Sequence, residues 1–398
     1  MEPQWSVIVT DARTHRTLYD SSTMQVSVAK ISDHLGVAKG SVTVSAPINA
    51  DLRVQWRIED AALPWRRVWW FLRDERPWFA AVPTKQNDFV ETDSQVRWAF
   101  SRADKFLDVR EFASTLVFQD VDQSDIVRNL ISYGIGLTPL ACKADFLAIM
   151  VPLSGAALPW MRLDDSWSGV LRTREDTEDG YQRAGTKTIG SAVQALSELQ
   201  DRMVNGEPGP RALLGLPGAF DYRLDYGRDP DGTLWARPTL GYPRLGRADP
   251  LHVEYPSSIA GFTHSVDSTD TLTAARYIGG GTGSARILSD LMYDADALNA
   301  GWPLLMGHGA GSAIEQTTVD DAARSHLDEH KGDNVGWGFR LNPDQLDRFE
   351  LGDSLQPTID HRRFGQALHL PAQRVVGREL TPGGPGIPEQ LVPILQAI

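Results

Sequence analysis

Apolar and polar positions alternate with a period of two through most of the first 115 residues. Trp5 to Thr10 alternates and runs into the polar Asp11-Ala12-Arg13-Thr14, which reads as a turn. Gly40 to Val44 and Leu52 to Ile58 alternate as well. In the second run Leu52, Val54, Trp56 and Ile58 share one face, with Arg53, Gln55 and Arg57 on the other. Such alternation marks a half-buried strand. Val68-Trp69-Trp70-Phe71-Leu72 is a continuous apolar run and predicts a strand buried on both faces. Val96 to Phe100 follows. Short strands divided by polar turns predict a small barrel or sandwich over residues 1–116.

The period changes near residue 119. Gln119 to Asp125 supplies capping residues, Ile126, Val127, Leu130 and Ile131 fall at helical spacing, and Gly134 offers a C-cap. A second helix is predicted from Thr188 to Val204, with Ile189, Val193, Leu196 and Leu199 on one side and Gly206 at its end. These helices define a mixed α/β middle domain over residues 117–217, with irregular stretches at 150–186 and 205–217. At residue 220 the β signal returns. Phe220 to Leu224 and Leu234 to Pro238 flank Asp229-Pro230-Asp231-Gly232, a turn by its chemistry because Pro presets φ and Gly accepts a positive one. Further strands are predicted near 251–255, 271–277, 336–341, 356–360 and 371–378, with a helix from Thr317 to His330. Residues 218–380 thus read as a second β domain with a helical insertion. Residues 381–398, opening on Thr381-Pro382-Gly383-Gly384-Pro385-Gly386, read as a linker or as a tail ordered only on assembly. The expected fold class is α+β, β-dominated and multi-domain.

Composition narrows the function classes. The 398 residues are 41% hydrophobic and 23% charged, the profile of a globular protein. Cys142 is the single cysteine, which excludes a disulfide scaffold and a Cys-rich zinc site. The net charge of −13 argues against a dedicated nucleic-acid binder, which needs a basic footprint. No apolar run of membrane-spanning length occurs, and Met1-Glu2-Pro3-Gln4-Trp5 lacks the basic and apolar regions of a secretory signal, so synthesis in a cytoplasm is expected.

Several motifs invite chemistry. His326-Leu327-Asp328-Glu329-His330 fits H-x-x-E-H, in which two histidines one helical turn apart bind zinc and the glutamate acts as base. Glu350 or Asp353 would be the further ligand. The plain alternative is the polar end of an amphipathic helix whose apolar positions are Val319, Ala322, Ala323 and Leu327. Gly279 to Ser284 is glycine-rich but lacks the Lys of a P-loop and reads as a hairpin tip, with Ala285 to Leu288 continuing a strand. Gly307 to Ser312 lacks G-x-S-x-G. Cys142 lies in an apolar stretch and reads as core, and the acidic cluster Glu175 to Asp179 reads as a solvated loop. Trp56, Trp69, Trp70 and Trp98 sit in strand-like runs and read as core, whereas Trp65 and Trp78, next to prolines, are the better candidates for exposed or subunit contacts. No catalytic, cofactor-binding or metal residue is assigned.

The order of elements resembles a family. Trp5-Ser6-Val7-Ile8-Val9-Thr10-Asp11, Gln123 to Ile131, Gly218 to Arg223 with Asp229-Pro230-Asp231-Gly232 and Leu240 to Gly246, and finally the 317–330 helix, Leu351-Gly352-Asp353 and Arg374 to Glu379 carry the resemblance. Together they resemble the minor tail proteins of tailed phages infecting actinobacteria, the tail-hub type related to the N-terminal hub of tail-associated lysins. The resemblance implies a siphophage baseplate hub, located in the virion at the tail tip. It implies two small β domains per copy around an α/β middle domain, and three copies in a homotrimeric ring of pseudo-sixfold symmetry. It also implies a distal tail protein ring and tape-measure or other tail-tip proteins as partners, a part in host attachment and DNA ejection, and no enzyme activity or cofactor. A net-acidic lumen would let DNA slide, because it repels phosphate. Glu175 to Asp179 and Asp320-Asp321 are the loops expected to supply that charge, and an inner wall of Arg66, Arg67, Arg73 and Arg76 would instead grip. Two other functions remain open: a zinc-dependent peptidase acting through His326, Glu329 and His330, and a carbohydrate-binding receptor protein using exposed Trp.

Overall fold

The apolar run at Val68 to Leu72 is an inner strand of the largest sheet, and its neighbours are arranged around it. The computed structural model describes residues 3–21, 26–48, 51–85, 89–91, 95–111, 121–136, 157–164, 167, 171–172, 188–197, 203–204, 207–208, 220–242, 244–247, 249–283, 286–331, 334–383 and 388–397. The N-terminal part carries β1 (Trp5–Asp11), β2 (Thr17–Asp20), β3 (Ser27–His34), β4 (Gly40–Pro47), α1 (Leu52–Ala61), β5 (Arg67–Arg73), β6 (Arg76–Val82), β7 (Phe89–Glu91) and β8 (Gln95–Arg102), then a 3-10 helix at Ala103–Val109. The middle carries β9 (Val121–Asp122), α2 (Gln123–Gly134), β10 (Leu171–Arg172), α3 (Ile189–Ser197), β11 (Met203–Val204) and β12 (Glu207–Pro208). Next come β13 (Asp221–Arg228), β14 (Leu234–Gly241), β15 (Leu251–Tyr255), β16 (Ile259–Asp267), β17 (Ala274–Ile278), β18 (Met292–Tyr293), α4 (Ala295–Asn299), β19 (Met306–Ala310) and α5 (Gln316–His330). The chain closes with β20 (Asn334–Leu341), β21 (Ser354–Ile359), β22 (Leu368–His369), β23 (Gln373–Thr381) and β24 (Gln390–Ala397). The fold is α+β and dominated by strands, as the alternation predicts. The chain forms two compact units, residues 1–260 with 340–398, and residues 261–339.

In the first unit the strands run β24-β23-β3-β4-β8-β6-β5-β1-β2, each hydrogen-bonded to the next. All of these pairs are antiparallel. β21 joins β23, and β15 pairs with β21 in parallel. The doubly buried prediction for β5 holds: Trp69 and Trp70 are both fully buried, on opposite faces. Trp69 lies 5.0 Å from Phe100 by ring centroids, and its indole donates to the Ala61 carbonyl at 2.7 Å. Trp70 meets Trp160 edge-on at 6.1 Å and donates to Thr10 Oγ1 at 3.0 Å. Burying two indoles with both N–H groups satisfied avoids the desolvation cost of an orphan donor. The Trp70 face continues into α2 and α3 through Ile126, Val127, Leu130, Ile131, Ile189 and Val193. Asp122 caps α2, its carboxylate accepting from the Ser124 amide at 2.8 Å.

Four local expectations change. The helix predicted from Thr188 to Val204 is α3 over Ile189–Ser197, and Met203–Val204 is the strand β11, paired with β12. Leu52 to Ile58 is the helix α1, not a strand: Ile58, Ala61 and Ala62 face inward at helical spacing, and Trp56 is left 63% exposed. The region past Thr381 is not a linker throughout, because β24 pairs with β23 from Gln373↔Ala397 to Thr381↔Gln390. Of the strand predicted over Ala285 to Leu288, Ala285 lies outside the described residues, and the described Arg286 to Leu288 make only a single bridge, Leu288 to Ile278. The hairpin predicted around Asp229 to Gly232 is β13–β14, with Gly232 at φ +90.

In the second unit β17 lies between β18 and β19. α5 buries Val319, Ala323 and Leu327 at i, i+4 and i+8, while Ala274 and Ala275 of β17 are buried in turn. The glycine run at 279 is a hairpin tip: the Gly279 amide donates to Ile287 O and the Ile287 amide to Gly280 O. Among the described residues no helix is long and apolar enough to cross a membrane.

Candidate functional site

In β8 the period-two pattern places Arg102 on the same buried face as Val96, Trp98 and Phe100. A guanidinium there has lost its water, so it requires partners on every N–H. Nε and Nη2 donate to Asp104 at 2.9 and 2.7 Å. Nη1 donates to Asp33 at 3.1 Å and to the His34 carbonyl at 2.7 Å, and Nη2 reaches the Gly36 carbonyl. Arg102 and Asp104 side chains are wholly buried and Asp33 is 1% exposed. Burial is the largest single influence and pulls the guanidinium down, but the charge and hydrogen bonds of Asp104 and the charge of Asp33 together outweigh it and hold the group well above its usual range. Asp33 also pairs with Arg378 of β23 at 3.4 Å, so two cations meet two anions and the cluster is neutral. Arg378 in turn lies 4.4 Å over the Trp78 ring.

This cluster stands where the two ends of the chain meet. β3 pairs with β23 from His34↔Gly377 to Ile31↔Leu380. A second tie lies at Glu389, 1% exposed in its side chain, which accepts from Trp5 Nε1 at 2.8 Å and Arg73 Nη2 at 3.0 Å. Sequence reasoning did not find this junction. Its signal was present: Asp33 and Arg102 occupy the inward positions of otherwise apolar alternations.

The H-x-x-E-H motif lies on the last turn of α5, where the His326, Glu329 and His330 donor atoms fall within 4.8 Å of one another. The two rings are 4.5 Å apart by centroid. Glu350 and Asp353, the further ligands suggested by the sequence, are engaged within the first unit. Glu350 pairs with Arg223 at 2.6 Å, while Asp353 accepts the Arg247 and Glu350 amides at 2.8 and 2.9 Å.

Of the four arginines considered for a basic wall, Arg67 is tied to Asp11 and Asp60, and Arg73 to Glu389 and Asp347. Arg66 and Arg76 are exposed. Asp321 pairs with Arg324, and Asp320 accepts the Asp290 amide. Trp65 and Trp78 are half-buried rather than exposed, packing on Phe106 and Trp5. Cys142 and the Glu175 to Asp179 cluster lie outside the described residues.

No protein-family model and no curated protein matches the chain. Among solved structures it is similar to a tail protein from Neisseria meningitidis, at 10% identity and a TM-score of 0.44 over 98% of this chain and 96% of that one. It is similar also to the 43 kDa tail protein of prophage MuSo2 from Shewanella oneidensis, at 7% identity and a TM-score of 0.45 over 98% of each chain. A Francisella PdpA-VgrG complex aligns at 9% identity and a TM-score of 0.46, over 99% of this chain and 53% of that one.

Proposed function

We propose that this chain is a structural virion protein of a phage tail tip. Three copies form the hub ring at the distal end of the tail tube, the ring through which DNA leaves. The observation that carries the reading is the β3–β23 pairing with its neutral Arg102, Asp33, Asp104 and Arg378 cluster. A ring built from two β domains per copy requires the N- and C-terminal β stretches to stand side by side within one copy. In this chain they share one hydrogen-bonded sheet and a buried ionic tie, which fixes their spacing. The partners on this reading are two further copies, a distal tail protein ring and tape-measure or other tail-tip proteins. The role is assembly rather than catalysis, and the net charge of −13 per copy suits a channel wall that does not hold DNA.

Cryo-electron microscopy of virions carrying a label on this chain tests the reading. Density for three copies in a ring at the end of the tail tube is the expected result. A label at the capsid or neck, or a single copy at the tip, overturns it. Mass photometry of assembled tails reads the copy number independently.

A further inference from the structure

His326, Glu329 and His330 stand at i, i+3 and i+4 on α5, which places all three on one strip of the helix. Two imidazole nitrogens and a carboxylate oxygen within 4.8 Å of one another are a donor set for a small divalent cation. Proximity alone is common on helix surfaces, and two further features set this cluster apart.

The first is the tautomer. His330 Nδ1 lies 2.9 Å from the His326 carbonyl oxygen. A carbonyl only accepts, so Nδ1 carries a proton, and the neutral ring that would bind a metal presents its lone pair at Nε2. A hydrogen bond from the other ring nitrogen to a backbone carbonyl is the arrangement that orients a metal-binding histidine. The second is packing. Both rings are half-buried, and a Cβ on Gly309 of β19 would lie 3.5 Å from His326 Cγ. The His326 ring therefore rests on the glycine-rich strand and has lost part of its rotamer freedom before any ligand arrives.

We propose that His326, Glu329 and His330 form a three-donor site for one divalent transition-metal ion of the zinc class, with water completing the coordination. The ion clamps the last turn of α5. Glu329 acts as a ligand and not as a base, and the site is structural. This inference is independent of the tail-hub reading.

Equilibrium competition of the full chain for Zn²⁺ against a chromophoric chelator tests it, with Co²⁺ substitution as a spectroscopic readout. The expected result is one saturable zinc per chain and the visible absorption of tetrahedral Co²⁺. Changing even an outer-sphere partner costs roughly 10–100-fold in affinity, so H326A and H330A, which remove ligands, should each lose at least about 10-fold. Glu329→Gln weakens zinc as well, whereas His252→Ala, on an exposed position of β15, does not. Circular dichroism of each variant confirms that loss of binding is not loss of fold. Absence of saturable zinc binding, or equal binding by the H326A/H330A double variant, overturns the site. Unchanged zinc affinity in Glu329→Gln together with lost cleavage of a casein substrate overturns the structural assignment in favour of a peptidase.

Discussion

Gly377 on β23 stands directly opposite His34 on β3, and the imidazole fills the space that a Cβ at position 377 would need. The two strands come from opposite ends of the chain, so a missing side chain on one and a ring on the other set how closely those ends approach. Ser32 Oγ lies 2.9 Å from His34 Nε2 and holds the ring from its far side. A methyl at position 377 would have to displace the ring from this hydrogen bond.

Gly377→Ala is therefore an overpacking substitution. It should destabilise the first unit by about 1–3 kcal/mol, the usual range for forced atoms in a packed interior. Urea denaturation followed by Trp fluorescence reads the change. A midpoint equal to that of the parent would show that the His34 ring yields to a methyl without cost.

Arg102→Met removes the cation and leaves Asp33 and Asp104 buried beside one another. Breaking a buried pair in this way costs about 3–5 kcal/mol. Arg102→Lys should recover little, because a lysine has three donors and no planar fork to span Asp104, Asp33 and two carbonyls. Thermal unfolding of the three proteins side by side checks the order Arg, then Lys, then Met.

Stability should fall as pH drops from neutral toward 5. Burial, followed by the charge of Arg162, holds His15 below the ordinary histidine value of 6.5. Burial does the same for His34, where Asp33 opposes and Arg102 assists. In the window between the folded values and 6.5 the unfolded chain binds more protons, so stability rises with pH there and is lost as pH falls. His15 adopts φ +58, a conformation asparagine also accepts, so His15→Asn should keep the turn and reduce the slope. Urea midpoints across pH 5–8 test the sign.

The tryptophans separate into two kinds. Trp69→Ala, at a fully buried position, should cost about 3–5 kcal/mol. Trp56→Ala, at a position 63% exposed, should change the stability of the isolated chain by less than about 0.5 kcal/mol. If Trp56 serves an assembly contact, its loss appears instead in tail assembly yield. Matched denaturation and assembly measurements distinguish the two.

What the sequence by itself determined is local. The apolar run at Val68 to Leu72, the Asp-Pro-Asp-Gly turn, the Asp122-capped helix and the amphipathic stripe of Val319, Ala323 and Leu327 each carry their conformation in neighbouring residues. Period, turn chemistry and capping act over a few positions, and all of them are legible in order. The H-x-x-E-H cluster belongs here too, because helical geometry alone brings i, i+3 and i+4 together. Leu52 to Ile58 marks the boundary of such reasoning. Alternation over seven residues contains two i, i+4 pairs, Leu52 with Trp56 and Val54 with Ile58, so the same string satisfies a strand and a helix. Only the tertiary structure chose, by burying Ile58 and leaving Trp56 in water. The same holds for Arg102. Its place on an inward face announced a buried charge, but its partner Asp33 lies 69 residues away in sequence, and Arg378, which shares Asp33 with it, lies 276 away. Pairing β3 with β23 joins ends of the chain whose encounter no local pattern encodes. It depends on which strand edge is free, which ring fits beside Gly377, and which charges cancel once water has left.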